Sequence, residues 1–196
     1  MDEKLVEGYV REILKEIGDN PYREGLKETP RRVAKMYGEL FRGYDLKQKP
    51  IITIFPNGQD GVVYDQLITD RGPFNSLCEH HIIPFSGEFI FGYIPDKKII
   101  GLSKVARIVD FYSAKLQIQE RLVKDIVDEI EKVAEPKAIG IFMKATHLCK
   151  KMRGVKKDGE MTTCDLRGLF KTDESAKREF LKEVYKWKKK QNFMVE

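Results

Sequence analysis

Two short runs, Cys78-Glu79-His80-His81 and His147-Leu148-Cys149, hold all three histidines and two of the three cysteines of the chain. Thiolates and imidazoles gathered in this way suit a zinc ion. If one ion draws donors from both runs, the fold has to bring a distant stretch of chain back to the first cluster, and that demand constrains the architecture more than any compositional figure. Cys78-x-x-His81 is a short chelating loop in which one turn presents two donors. Cys149 would complete a set of three ligands with an open fourth position, the arrangement that separates a catalytic zinc, able to activate a water, from a structural one. Spacing alone also allows a structural zinc closed by His80, His147 or Cys164, or histidines packed in a core with no metal.

The setting follows from a few counts. A chain of 196 residues, 41% of them hydrophobic, is long enough for one core of ordinary size with a small helical appendage. Three cysteines cannot all pair within one chain, and no leading apolar segment reads as a signal peptide or membrane span. A cytoplasmic location, with thiols free to bind metal, is therefore expected. The net charge of +5 favours an anionic partner only weakly, and neither nucleic acid nor membrane is an expected partner.

Leu5, Tyr9, Ile13 and Ile17 recur at helical spacing and predict an amphipathic helix over residues 2–17, stopped by Gly18-Asp19-Asn20-Pro21. Thr29 as N-cap and Pro30 in the first turn open a second helix through about Phe41, closing at Gly43, so the chain begins with a helical hairpin. Short extended runs are expected at Pro50–Phe55 and Val62–Leu67, with a break at Arg71-Gly72-Pro73. Ile82–Ile94 reads as a strand rich in aromatic residues, which Pro95-Asp96-Lys97-Lys98 turns into a hairpin partner, Ile99–Leu102. Ser103 can cap a helix to about Tyr112, and Ile118, Leu122, Ile126, Ile130 and Val133 trace one face of a longer helix. Ala138–Met143 is a strand leading to the second cluster, Met161–Phe170 its partner, and Asp173 to about Gln191 a charged terminal helix whose Lys186–Lys190 end is expected to be solvated.

Several spaced motifs, in order, give the chain a family resemblance. Ser76-Leu77-Cys78-Glu79-His80-His81-Ile82-Ile83-Pro84-Phe85-Ser86-Gly87, Gly101-Leu102-Ser103-Lys104-Val105-Ala106-Arg107 and Gln117-Ile118-Gln119-Glu120-Arg121-Leu122 resemble GTP cyclohydrolase I. The likeness extends upstream to Glu28-Thr29-Pro30-Arg31-Arg32-Val33-Ala34-Lys35-Met36 and downstream through Met152-Arg153-Gly154 and Gly168-Leu169-Phe170-Lys171. It implies an α+β tunnelling fold, an antiparallel sheet with a helix pair on one side, preceded by the N-terminal hairpin. Residues 1–48 would form the hairpin and 49–196 the catalytic domain. It implies conversion of GTP and water to formate and 7,8-dihydroneopterin triphosphate, the opening step of folate or tetrahydrobiopterin synthesis, by a homodecamer of two stacked pentamers.

The same resemblance assigns residues. Cys78, His81 and Cys149 would hold Zn²⁺, His147 would supply a proton to the guanine ring, and His80, which cannot easily ligate the same ion beside His81, would be a second catalytic imidazole that either supports the ligands or contacts substrate. Glu120 would accept the donor pair of guanine, which suits a carboxylate, with Gln119 adding a polar contact. Ser103, Lys104 and Arg107 at a helix start, Arg32 and Lys35 near another, and Arg153 after the second cluster would take the triphosphate. Met161-Thr162-Thr163-Cys164-Asp165-Leu166-Arg167 departs from the Thr/Ser-rich strand the family often shows, and Cys164 is expected to be a small packed residue there.

Overall fold

Phe85, Phe89, Phe91 and Tyr93 alternate along one strand, and that period of two buries all four on one face. The computed structural model describes residues 1–192, with side chains through Trp187. In chain order the elements are α1 (Glu3–Glu16), α2 (Thr29–Leu40), β1 (Ile54–Pro56), β2 (Ile68–Cys78), β3 (Pro84–Ile94), β4 (Lys98–Ile100) and α3 (Ser103–Ser113). They continue with β5 (Leu116–Gln117), α4 (Gln119–Ala134), β6 (Ala138–His147), α5 (Leu148–Lys151), β7 (Glu160–Gly168), α6 (Leu169–Thr172) and α7 (Glu174–Asn192).

The main sheet has the order β5-β2-β3-β6-β7. All its pairings are antiparallel except that of β5, which runs parallel to the last two residues of β2. On one face the aromatic residues of β3 join Ile139, Ile141 and Met143 of β6 and meet Leu122, Ile126 and Ile130 of α4 and Ile108 of α3. Ile90 and Ile94 point to the opposite face, where Phe170, Phe180, Val184 and Trp187 cover them. Each large apolar side chain buried in this way contributes roughly 1.5–3 kcal/mol. The α+β class, the helix pair on one side of an antiparallel sheet and the leading hairpin all agree with expectation.

Arg167 binds β7 to α4, pairing with Asp128 and Glu131 at 2.7 Å each and with Asp165 of its own strand at 2.6 Å. The charges that set this strand apart in the sequence are therefore occupied in holding the sheet to its helix. The hairpin of α1 and α2 reaches the body of the chain at Gly43, whose N–H donates to the Ala114 carbonyl at 2.9 Å. A Cβ at residue 43 would lie 2.2 Å from the Phe111 carbonyl oxygen, so only glycine permits this approach.

Five local expectations are corrected. Arg71-Gly72-Pro73 does not break the chain: β2 runs straight through it, while 62–67 carries no strand. Pro73 is tolerated because β5 covers only Leu77 and Cys78, leaving the rest of β2 at a sheet edge where a missing N–H costs no ladder bond. β4 pairs with β1, Ile54 opposite Ile100, instead of folding back on β3. Thr29 and Ser103 are the first residues of their helices, whose N-cap positions, Glu28 and Leu102, make no side-chain cap bond. At the C-terminal end Lys186 is exposed as expected but Trp187 is buried, and the side chains of Lys188, Lys189 and Lys190 lie outside the described residues.

Candidate active site

β2 and β6 both run antiparallel to β3, so they run in the same direction and end at the same edge of the sheet. That topology joins the two clusters. Leu77 lies opposite Pro84, and the next residue of β3, Phe85, lies opposite His147. β2 thus delivers Cys78 and β6 delivers His147 and, through the first turn of α5, Cys149.

The loop after Cys78 is wound tightly. The Cys78 N–H donates to the Ile83 carbonyl at 2.9 Å, and the Ile82 and His81 N–H groups donate to the Cys78 carbonyl at 2.8 and 3.3 Å. Ile82 closes this turn at φ 55°, a left-handed conformation that costs a β-branched residue about 1–3 kcal/mol. The winding brings Cys78 Sγ to 3.9 Å from His81 Nδ1. One donor atom each from Cys78, His81 and Cys149 lie within 4.8 Å of one another. Burial, reinforced by the facing Cys78 thiol, pushes the Cys149 thiol above its usual range. Two opposed thiols and an imidazole form a donor set that a soft divalent cation fits and relieves, because the cation favours the thiolates. Among the described residues this is the one group of three such donors. Cys164 lies apart, exposed on β7 opposite Phe142, instead of packed as expected.

His147 is held from two sides. Its ring stacks on Phe85 with centroids 4.6 Å apart and planes 3° from parallel. Its Nε2 lies 2.9 Å from Gln119 Oε1. Gln119 is fully buried, and its Nε2 donates to the Met143 and Met161 carbonyls, both at 3.2 Å, and to Thr163 Oγ1 at 3.0 Å. Two carbonyl oxygens can only accept, so the amide nitrogen must face them and Oε1 must face the ring. His147 Nε2 is therefore the protonated nitrogen, and Nδ1 is left for another partner. Gln119, expected to touch substrate, instead commits its amide to the protein and orients His147. Burial holds the His147 imidazole below its usual range, and Lys150 adds to that effect while Glu120 opposes it.

The other expected residues divide into two groups. Glu120 is exposed in the first turn of α4 next to Gln119, His80 is exposed with Nδ1 3.7 Å from Cys78 Sγ, and Arg153 contacts His81 Nε2. These belong to the metal end. Ser103, Lys104 and Arg107 occupy the opposite end of α3, because it is the C-terminal end of that helix that leads into β5 beside Cys78. Roughly 14 Å of helix separates Lys104 from Ser113. Arg32 and Lys35 are exposed on α2. Sequence reasoning missed Arg121, which contacts Glu79 inside the metal loop, and the stacking role of Phe85. The signal for Arg121 was its place one residue after Glu120, which reads equally well as a solvated helix position.

The sequence pattern of the GTP cyclohydrolase I family matches residues 6–185. GTP cyclohydrolase 1 of Leptospira biflexa is 47% identical over 179 residues, covering 90% of this chain and 96% of that protein. Those of Caldanaerobacter subterraneus and Aquifex aeolicus are 45% and 44% identical, covering 92% and 94% of this chain and 96% and 97% of their own. A solved archaeosine synthase QueF-Like in the apo form aligns with 52% of this chain and 93% of its own, at a TM-score of 0.45 and 18% identity. Because the family match runs from α1 into α7 and takes in both cysteine–histidine clusters, the chain belongs to the GTP cyclohydrolase I family.

Proposed function

We propose that this protein opens the imidazole ring of guanine in GTP, releasing carbon 8 as formate and yielding 7,8-dihydroneopterin triphosphate, with Zn²⁺ held by Cys78, His81 and Cys149. The observation that carries this reading is the convergence of those three donors beside an oriented imidazole, in a member of this family. When bound, zinc supplies a Lewis acid that activates water for attack on carbon 8. His147, fixed by Phe85 and Gln119, presents Nδ1 to nitrogen 7 of the base and in its protonated form hands over the proton that makes carbon 8 electrophilic. Glu120 favours that protonated form and accepts nitrogen 1 and the exocyclic amino group of guanine. His80, whose Nδ1 lies 3.7 Å from Cys78 Sγ, contacts the substrate beside the metal ligands.

Arg153 meets the triphosphate from within the chain. Ser103, Lys104 and Arg107, together with Arg32 and Lys35, serve the site of a neighbouring copy, because within one chain the start of α3 lies at the wrong end of its helix. The uncapped start of α3 leaves backbone N–H groups for an anion. Open edges support the assembly: the side of Ile68–Ser76 of β2 that faces away from β3, and the outer side of β7, have no strand partner among the described residues. Pairing these edges between copies would close five sheets into a barrel, two such rings giving a decamer, with residues 1–48 as an arm on a catalytic unit of 49–196. Among the described residues no helix is long and apolar enough to cross a membrane. All three cysteines are unpaired, which accords with a cytoplasmic setting. The product would enter folate or tetrahydrobiopterin synthesis.

The test is incubation of the zinc-loaded protein with GTP, following formate and the fluorescence of oxidised neopterin. Equal release of both is expected. Formate without a neopterin, or no ring opening at all, would overturn the reading.

A further inference from the structure

Arg121 follows the guanine-reading Glu120 in the first turn of α4, but its side chain turns toward the metal loop. Its Nε donates to Gln117 Oε1 at 2.9 Å, and its Nη2 donates to the Leu116 carbonyl at 3.2 Å and contacts the Glu79 carboxylate. Gln117 is itself fixed, buried with its Nε2 donating to the Tyr112 carbonyl and to Asp125 Oδ2, both at 3.2 Å. The guanidinium is therefore held on two sides before it meets Glu79. Glu79 is the residue between Cys78 and His80, and its own N–H donates to the Gln117 carbonyl at 3.0 Å. Backbone and side chain together clamp this loop to the entrance of α4.

We propose that Arg121 is a positioning residue for the metal centre: through Glu79 it holds the Cys78–His81 loop in its wound form against the strain at Ile82, and so sets the metal affinity. This rests on the reading that zinc occupies Cys78, His81 and Cys149. Glycine enters the left-handed region freely, but isoleucine does not, so Ile82 stays there only while its surroundings insist on it. The turn's own hydrogen bonds are local to it and the Glu79 N–H bond to Gln117 holds only the start of the loop, whereas the Arg121–Glu79 contact adds a side-chain tie to a helix that cannot follow the loop. If the anchor is removed, Ile82 relaxes toward extended backbone and carries the neighbouring His81 away from Cys78. The clamp also ties the metal loop to the helix turn that bears Glu120, so the metal and the base reader keep one spacing.

Competition for Zn²⁺ with a colorimetric chelator, on the purified full-length assembly, tests this directly. The unaltered protein should bind one zinc per chain and Cys149→Ser none; failure of that pair of controls would refute the metal reading itself, separately from the role of Arg121. Arg121→Met and Glu79→Gln should each weaken zinc about 10–100-fold, the range for residues that support a ligand. The double variant should be no worse than either single one, because both break the same contact. Adding Ile82→Gly to Arg121→Met should restore most of the affinity, a rescue that a merely structural arginine would not allow. Should Arg121→Met fail to fold, Glu79→Gln with and without Ile82→Gly makes the same comparison. Unaltered affinity in Glu79→Gln, additive losses in the double variant, or no rescue by glycine would each overturn the proposal.

Discussion

The two ends of the main sheet solve opposite problems. At the metal end the central groups are braced by their own chain: His147 by Phe85 and Gln119, and the Cys78 loop by its turn and by Arg121. At the far end Ser103 and Arg107 are exposed, and among the described residues neither Lys104 nor Arg107 forms an ion pair. Proton transfer and metal ligation need positions fixed to a fraction of an ångström, which covalent continuity and burial supply. Binding a triphosphate needs charge more than exact placement, so those groups can come from another copy.

The sharpest way to break this contrast is Cys149→Ser. It should remove zinc and turnover together while the circular dichroism spectrum stays unchanged, a loss exceeding the roughly 10–100-fold cost of removing a supporting residue. Full activity in the zinc-depleted variant would refute the proposed role of the metal. Glu120→Ala should next cost about 2–5 kcal/mol of guanine selection. Lys104→Ala should instead weaken GTP more than guanosine, by about 1.5–3 kcal/mol for a charge-assisted bond. If both variants affect nucleoside and nucleotide equally, the division into base and phosphate ends is wrong.

Gln119→Leu sharpens the metal end further. It strands the Met143 and Met161 carbonyls, so urea unfolding should show about 1–3 kcal/mol less stability. The ¹⁵N resonances of His147 should at the same time lose their clear preference for a proton on Nε2. The smallest expected signal tests whether sites are shared between copies: Arg32→Ala and His147→Ala proteins, each inactive, are dissociated, mixed and reassembled. Random mixing should recover about a quarter of full activity, the chance that a site unites the two intact halves. Mixed assemblies of confirmed mass with no recovery would place each site within one chain.

How much of this the sequence disclosed depends on the range of the interactions involved. The three candidate ligands were legible because cysteine and histidine are few here and the first pair sits within one turn. The helices α1, α2, α3 and α4 were legible from their periodicity, within one or two residues at each end. β2 was not, because Gly72-Pro73 punctuates a chain wherever its edge exposure is unknown. The pairing of β4 with β1 was hidden for a related reason: the turn at Pro95–Lys98 predicts a reversal but not which strand receives it. For Gln119 the sequence showed polarity next to Glu120, but its complete burial, which decides its task, comes from β6 and β7 closing over it.

The shared direction of β2 and β6 has a consequence for how this protein can change over time. The connections at the far end, 95–97 and 135–137, can gain or lose residues while Cys78, His147 and Cys149 keep their places, since strand register alone sets them. A single residue inserted between Phe85 and Gly92 would be felt at once, reversing which side chains face α4 and parting Phe85 from His147. Gly87 makes that stretch still less forgiving, because a Cβ there would lie 1.8 Å from the Lys144 carbonyl oxygen. Length variation among descendants of this chain should therefore gather away from the chemistry, leaving the sheet to act as a ruler that lineages inherit unchanged.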